Sequence, residues 1–160
     1  MDFAVRNAEF EMTPSPKMSV SEFVQKCIGK LMIHEGFRGK VYRCSAGILT
    51  VGYGRNLEDR GLSKEESLYL LENDTVDSIK QCEKHLGTVY TELDDVRKMV
   101  LVMMAFNMGI HGLLGFKKTL SFIRQKDFEN ASKEMLNSRW AAQVKGRAKE
   151  LSEMMRTGVL

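Results

Sequence analysis

Apolar side chains at Val20, Phe23, Val24, Cys27, Ile28, Leu31 and Met32 recur at three- and four-residue spacing. That period places them on one face of a helix. Ser19 and Glu22 form a capping-box pair ahead of it, each side chain able to satisfy a free amide of the first turn. Gly36 supplies the stop, so the pattern predicts a helix over 19–35. The period then changes. Lys40–Tyr42 and Ile48–Tyr53 read as two strands around the turn residues Cys44, Ser45, Ala46 and Gly47. Ser63 with Glu66 is a second capping box, and Leu68, Leu71, Val76, Ile79 and Leu86 carry a long helix to about Lys84. Thr91 with Asp94 is expected to open a third helix. Its segment KMVLVMMAFNMG is apolar almost all round, the pattern of a buried central helix. Further helices are expected near 113–125, 127–137 and 145–157.

Glycine and proline sharpen this outline. Both prolines, Pro14 and Pro16, lie in residues 1–17, which read as an N-terminal arm, and none follows. Long helices are therefore unbroken by a residue that lacks a backbone donor. Six of the 13 glycines fall between 36 and 61, the region of turns and strands. A chain of 160 residues is long enough for one domain, or two small lobes, without disulfide or metal support.

Composition excludes several classes. The chain is 43% hydrophobic and 28% charged, ordinary values for a folded globular protein. Three widely spaced cysteines (Cys27, Cys44, Cys82) and three separated histidines give no zinc spacing. No metal or cofactor is expected, and the odd thiol count suits a reducing compartment. Met99–Phe106 is too short to span a bilayer, and the first 16 residues lack the apolar core of a secretory signal. The formal charge of +3 is uneven: residues 62–116 carry 5 basic and 9 acidic groups, residues 117–160 carry 10 and 5. A basic C-terminal part suits a polyanionic partner such as nucleic acid, acidic lipid or cell wall. It equally suits a mixed solvated surface.

Glu35 is the sharpest candidate for chemistry. It continues the apolar face of the first helix and sits at that helix's C-terminus. Burial and the macrodipole both penalise an ionised carboxylate there, and a general acid must carry its proton into the reaction. The alternative is an exposed helix-end glutamate. The run Gly47–Gly54 lacks both the Walker pattern and a GxGxxG opening a helix. It reads better as the floor of a cleft, where glycine permits close backbone approach, flanked by Tyr42 and Tyr53.

Glu35, then eight residues, Cys44, then five residues, Thr50: this spacing resembles the Glu-x8-Asp/Cys-x5-Thr signature of the phage lysozymes, glycoside hydrolase family 24. The segment HEGFRGKVYRCSAGILTVGYGRN is similar to that family's active-site hairpin. LDDVRKMVLVMMAFNMGIHGLLGF, NSRW at Asn137–Trp140 and GRAKELSEMMRTG at Gly146–Gly158 extend the likeness over about 19–158. The resemblance implies an α+β, mostly α, lysozyme-like two-lobe fold over 18–160. A small β-hairpin lobe would occupy about 36–62. A larger helical lobe would take about 85–160 plus the helix 19–35, and the long helix from Ser63 would join the two around a glycan-binding cleft.

It also implies roles. Glu35 would be the general acid, Cys44 would occupy the second catalytic position, and Thr50 would help to hold the attacking water. Arg147 would face the glutamate, and its charge would favour the ionised form, against the two effects above. Gly54, Phe106 and Thr119 align with substrate-cleft positions. Cys44 departs from the aspartate of some members; a thiol is a weaker hydrogen-bond partner and largely neutral near pH 7. The alternative for Cys44 is a small turn residue without a role. Glu134 departs from an asparagine, and the stretch between Asn56 and Ser63 is short. Cys27 and Cys82, like the methionines of the central helix, are expected in the core. Trp140 is expected as a packing anchor, His34 at a helix end, and His111 in a loop.

The function so implied is that of an endolysin: a muramidase hydrolysing the β-1,4 bond between N-acetylmuramic acid and N-acetylglucosamine in peptidoglycan glycan strands. It would act as a monomer, without cofactor, nucleic acid or stable membrane association. It would be held in the host cytoplasm until a holin lesion releases it to the wall. A lytic transglycosylase acting on the same bond, a virion or bacteriocin lysozyme domain, and a non-catalytic basic helical binding protein are the alternatives.

Overall fold

The computed structural model describes residues 18–160; the expected arm over 1–17, with both prolines, lies outside the described residues. The chain divides into two compact units, the first ending at Leu62 and the second running from Ser63 to Leu160.

The first unit holds α1 (Val20–Glu35), β1 (Arg38–Arg43), β2 (Leu49–Gly52) and β3 (Arg55–Asn56). The capping box forms as expected: Glu22 N–H donates to Ser19 Oγ at 3.2 Å, and Ser19 N–H donates to Glu22 Oε2 at 3.2 Å. Gly36 ends α1 with φ of 66°, a conformation that disfavours any residue with a Cβ. The strands form an antiparallel sheet in the order β1-β2-β3, with Tyr42 opposite Thr50 and Thr50 opposite Asn56. At two residues, β3 is too short for an alternating pattern to announce it. The apolar face of α1 contributes no buried residue, and Phe23 is 60% exposed. Cys27 is accordingly only half-buried, not the core thiol that its spacing suggested.

The second unit is helical: α2 (Lys64–Leu86), α3 (Thr88–Thr91), α4 (Asp95–Leu114), α5 (Lys117–Arg124), α6 (Phe128–Leu136), α7 (Arg139–Val144) and α8 (Gly146–Thr157). The Ser63–Glu66 capping box opens α2. Asp94, rather than Thr91, caps α4, accepting from Arg97 N–H at 3.0 Å; Thr91 instead closes the short helix α3. α4 is central as expected, with Val100, Leu101 and Met104 fully buried against Ile123, Met135, Leu151 and Met155. Each such side chain contributes about 1.5–3 kcal/mol by leaving water. Met99 and Met103 of the same helix are exposed, which corrects the reading of all its methionines as core. A break at Gly109 (φ 76°, ψ 160°) interrupts α4, and His111 lies within its last turns rather than in a loop.

Cys82 and Trp140 are buried as expected, and Trp140 donates through Nε1 to Asn107 Oδ1 at 3.0 Å. Arg97 locks the start of α4 to the end of α8. Its Nε donates to Met155 O at 2.7 Å, Nη2 to Arg156 O at 2.9 Å, and Nη1 to Asp94 Oδ2 at 2.8 Å. The guanidinium also lies 3.7 Å from the Phe128 ring centroid. Carbonyls at a helix C-terminus lack partners within the helix and attract a cation, which is the role Arg97 fills. Among the described residues, every buried hydrophobic side chain belongs to this second unit.

Candidate active site

The site residues expected from the sequence divide between the units, with Glu35, Cys44, Thr50 and Gly54 in the first and Phe106, Arg147 and Thr119, in two separate cavities, in the second. In the first unit α1 ends on Glu35, and the turn at Gly36 brings the chain back as β1. The Glu35 side chain lies against Gly54, between β2 and β3. A methyl group on Gly54 would stand 2.7 Å from Glu35 Oε2 and 3.1 Å from its carboxyl carbon. Gly54 also has φ of 75°. The positive φ favours glycine there, and the missing Cβ leaves the space that the Glu35 carboxylate fills. Glu35 is exposed. The partial burial expected from its place on the apolar face is not found, because that face has no packing partner within the unit.

Cys44 follows β1 and opens the turn into β2. Its N–H donates to Ile48 O at 3.0 Å, and its carbonyl accepts from Gly47 N–H at 2.8 Å. The thiol sits over this turn. The Ile48 and Ala46 backbone amides lower its pKa below the ordinary thiol value, and the Thr50 hydroxyl acts in the same direction. Thr50, only 4% exposed, donates through Oγ1 to Ile48 O at 2.9 Å. A hydroxyl has one proton to give. With Cys44 as a thiol, that proton goes to Ile48 O and the oxygen can accept from Sγ–H; with a thiolate, the hydroxyl turns to donate to sulfur. Thr50 stands beside the Cys44 thiol with its proton directed to the Ile48 carbonyl. Cys82 is the contrast: burial, and then the nearby Glu83 charge, push its thiol up to about 11, where it is inert at neutral pH.

In the second unit, Phe106 of α4 and Arg147 of α8 line one cavity of about 300 Å³ with Leu71, Thr75, Val102 and Met103. Thr119 lies elsewhere, 2% exposed at the base of a cavity of about 360 Å³ that Lys117, Lys118, Glu134 and Asn137 also line. Glu134, the departure noted in the sequence, therefore shares a surface with Thr119. Arg147 follows Lys145, whose φ of 47° and ψ of −107° are unusual for a residue with a side chain.

Sequence reasoning passed over Arg43 and Glu58. Arg43 Nη1 donates to Gly47 O at 2.6 Å and reaches Glu58 Oε1 at 3.4 Å, and Glu58 Oε1 accepts from Leu49 N–H at 3.2 Å. Charged residues beside a hairpin carry no periodic signal; only the registered strands reveal the pairing. Among the described residues, no group of three or more His, Cys, Asp or Glu is arranged to hold a metal ion.

Comparison with known proteins bears on this arrangement. Probable T4-type lysozyme 1 of Dictyostelium discoideum is 37% identical over 62% of this chain and 59% of its own length. Probable T4-type lysozyme 2 of the same organism matches to the same extent. The pre-baseplate central spike protein Gp5 of Enterobacteria phage T4 is 29% identical over 96% of this chain and 30% of its own length. The chain thus spans about three fifths of the two lysozymes and a smaller share of the spike protein. The family profile described as Phage lysozyme matches residues 32–156, from just before Glu35 to the last turn of α8, and the chain belongs to the phage lysozyme family.

Proposed function

We propose that this chain is a lysozyme-type glycoside hydrolase that cleaves the β-1,4 bond between N-acetylmuramic acid and N-acetylglucosamine in peptidoglycan. One observation carries the reading: the Glu35 carboxylate lies against Gly54, in the β2–β3 turn of the same small sheet whose β1–β2 turn presents Cys44 beside Thr50. Glu35 protonates the departing glycosidic oxygen, which lowers the cost of breaking the bond. Cys44 and Thr50 hold the water that attacks the sugar. Gly54 contacts the glycan on the first unit, and Phe106, Thr119 and Arg147 are its candidate contacts on the second unit, by resemblance to the family. No cofactor is needed for this chemistry. Membership of the phage lysozyme family supports the assignment. The test is clearing of outer-membrane-stripped Gram-negative cells: wild type should lower turbidity, and Glu35→Gln should abolish clearing while keeping the wild-type circular dichroism spectrum. A Glu35→Gln variant that clears normally would sink the assignment.

Delivery follows as an endolysin, a monomer released from the host cytoplasm to the wall through a membrane lesion. The match to Gp5, longer in this chain than either lysozyme match, favours a second reading as a virion-borne wall-opening domain. Mass spectrometry of washed virions separates them: the chain is absent from particles in the first reading and present in the second.

A further inference from the structure

We propose that Glu58 is a positioning residue that holds the Cys44–Thr50 turn in its working geometry, an inference that rests on the catalytic reading of that pair. The sheet ends irregularly at this point. Leu49 accepts from Leu57 N–H at 2.8 Å through its carbonyl. Its own N–H donates to the Glu58 carboxylate at 3.2 Å. The side chain therefore extends the pairing of the middle strand beyond the last backbone rung. The same oxygen receives Arg43 Nη1, which also ties down Gly47 O in the turn. One carboxylate thus joins both ends of the segment 43–49 that carries Cys44 and leads into Thr50.

Glu58 is itself aimed by a braced loop. Asn56 Nδ2 donates to Asp59 Oδ2 at 2.8 Å, Asp59 N–H donates to Asn56 Oδ1 at 2.9 Å, and Arg55 Nε donates to Gly61 O at 3.0 Å. Nothing apolar substitutes for this brace: Thr50 is the one buried residue among those described in the first unit. With Ile48 and Leu49 only half-buried, the turn relies on hydrogen bonds to keep its shape. The amides of Ala46 and Ile48 that stabilise the Cys44 thiolate lie inside the braced segment, so loosening it should be felt at the sulfur.

The experiment follows two readouts in Glu58→Ala and Glu58→Gln. The first is the pH profile of Cys44 alkylation by iodoacetamide, resolved from Cys27 and Cys82 by peptide mass spectrometry. The second is the split between kcat and KM on soluble peptidoglycan fragments. Glu58→Ala should move the Cys44 profile to higher pH. It should also lower kcat by roughly tenfold, within the ~100-fold that a 1 Å misplacement can cost, and leave KM within about twofold. Glu58→Gln keeps an acceptor for Leu49 N–H and should recover most of both losses. An unchanged Cys44 profile in a folded Glu58→Ala, or a Glu58→Gln no better than alanine, overturns the proposal. Should the wild type lack wall-degrading activity, the catalytic reading fails, while the thiol profile still decides whether Glu58 holds the turn.

Discussion

A few side chains have their behaviour set by the surrounding backbone. Cys44 is one. The Ile48 and Ala46 amides lower its thiol pKa, and the neighbouring Thr50 hydroxyl acts in the same direction. A carboxylate in the same place would receive the same amides, so Cys44→Asp should stay active. Cys44→Ala removes the polar partner of the water and should lower kcat by about 100-fold or more, measured as release of soluble muropeptides. Lys145 is another. A residue with a Cβ at φ 47° and ψ −107° stores about 1–3 kcal/mol of backbone strain. Lys145→Gly should therefore raise the melting temperature by a few degrees, about 2–4 °C per kcal/mol at this chain length. An unchanged or lower melting point would show that the lysine side chain offsets the strain. Glu35 and Thr50 stand out through the resemblance of the Glu-x8-Cys-x5-Thr spacing to the family signature, since the apolar period alone leaves Glu35 as readily an exposed helix end, which is how it is placed. Arg43 and Glu58 do not, because a long-range hydrogen bond between exposed charges leaves no pattern along the chain.

Helix ends carry much of the information at the scale of elements. Both capping boxes, at Ser19 and Ser63, were readable, since all their members lie within four residues. The start of α4 was misassigned because Thr91 and Asp94 are both good caps. The choice is made by Arg97, which bonds Asp94 while clamping α8 from 58 residues away in sequence. The break at Gly109 and the short helix α7 rest on single residues, a glycine at φ 76° and the Ser138 cap, which a period read over several turns passes over. Burial tends to raise the Asp94 pKa, but the Arg97 side-chain and backbone donors outweigh it and hold the carboxyl below its ordinary value. A depressed carboxylate contributes stability above its unfolded-state pKa and loses it as pH falls through the folded-state value. Asp94→Asn keeps a capping side chain but not the charge. It should lower stability at pH 7 and flatten the loss of stability below about pH 4, measured by urea unfolding across pH. Arg97→Ala should cost about 3 kcal/mol, since it strands two helix-end carbonyls.

Across the whole molecule the two units are built differently. The second has a packed core around α4; the first is held by caps, a three-stranded sheet and polar braces. Hydrogen exchange should reflect this, with slow amides in α4, α6 and α8 and earlier exchange in α1 and the sheet. Equal protection throughout would contradict it. The basic excess over residues 117–160 belongs to the second unit. The central claim, a glycosidase that uses Glu35 as its acid, is tested most directly by the products formed from purified peptidoglycan. Wild type should release new reducing ends at N-acetylmuramic acid, and Glu35→Gln should release none. Anhydro-muramic ends, or undiminished release by Glu35→Gln, would contradict the account.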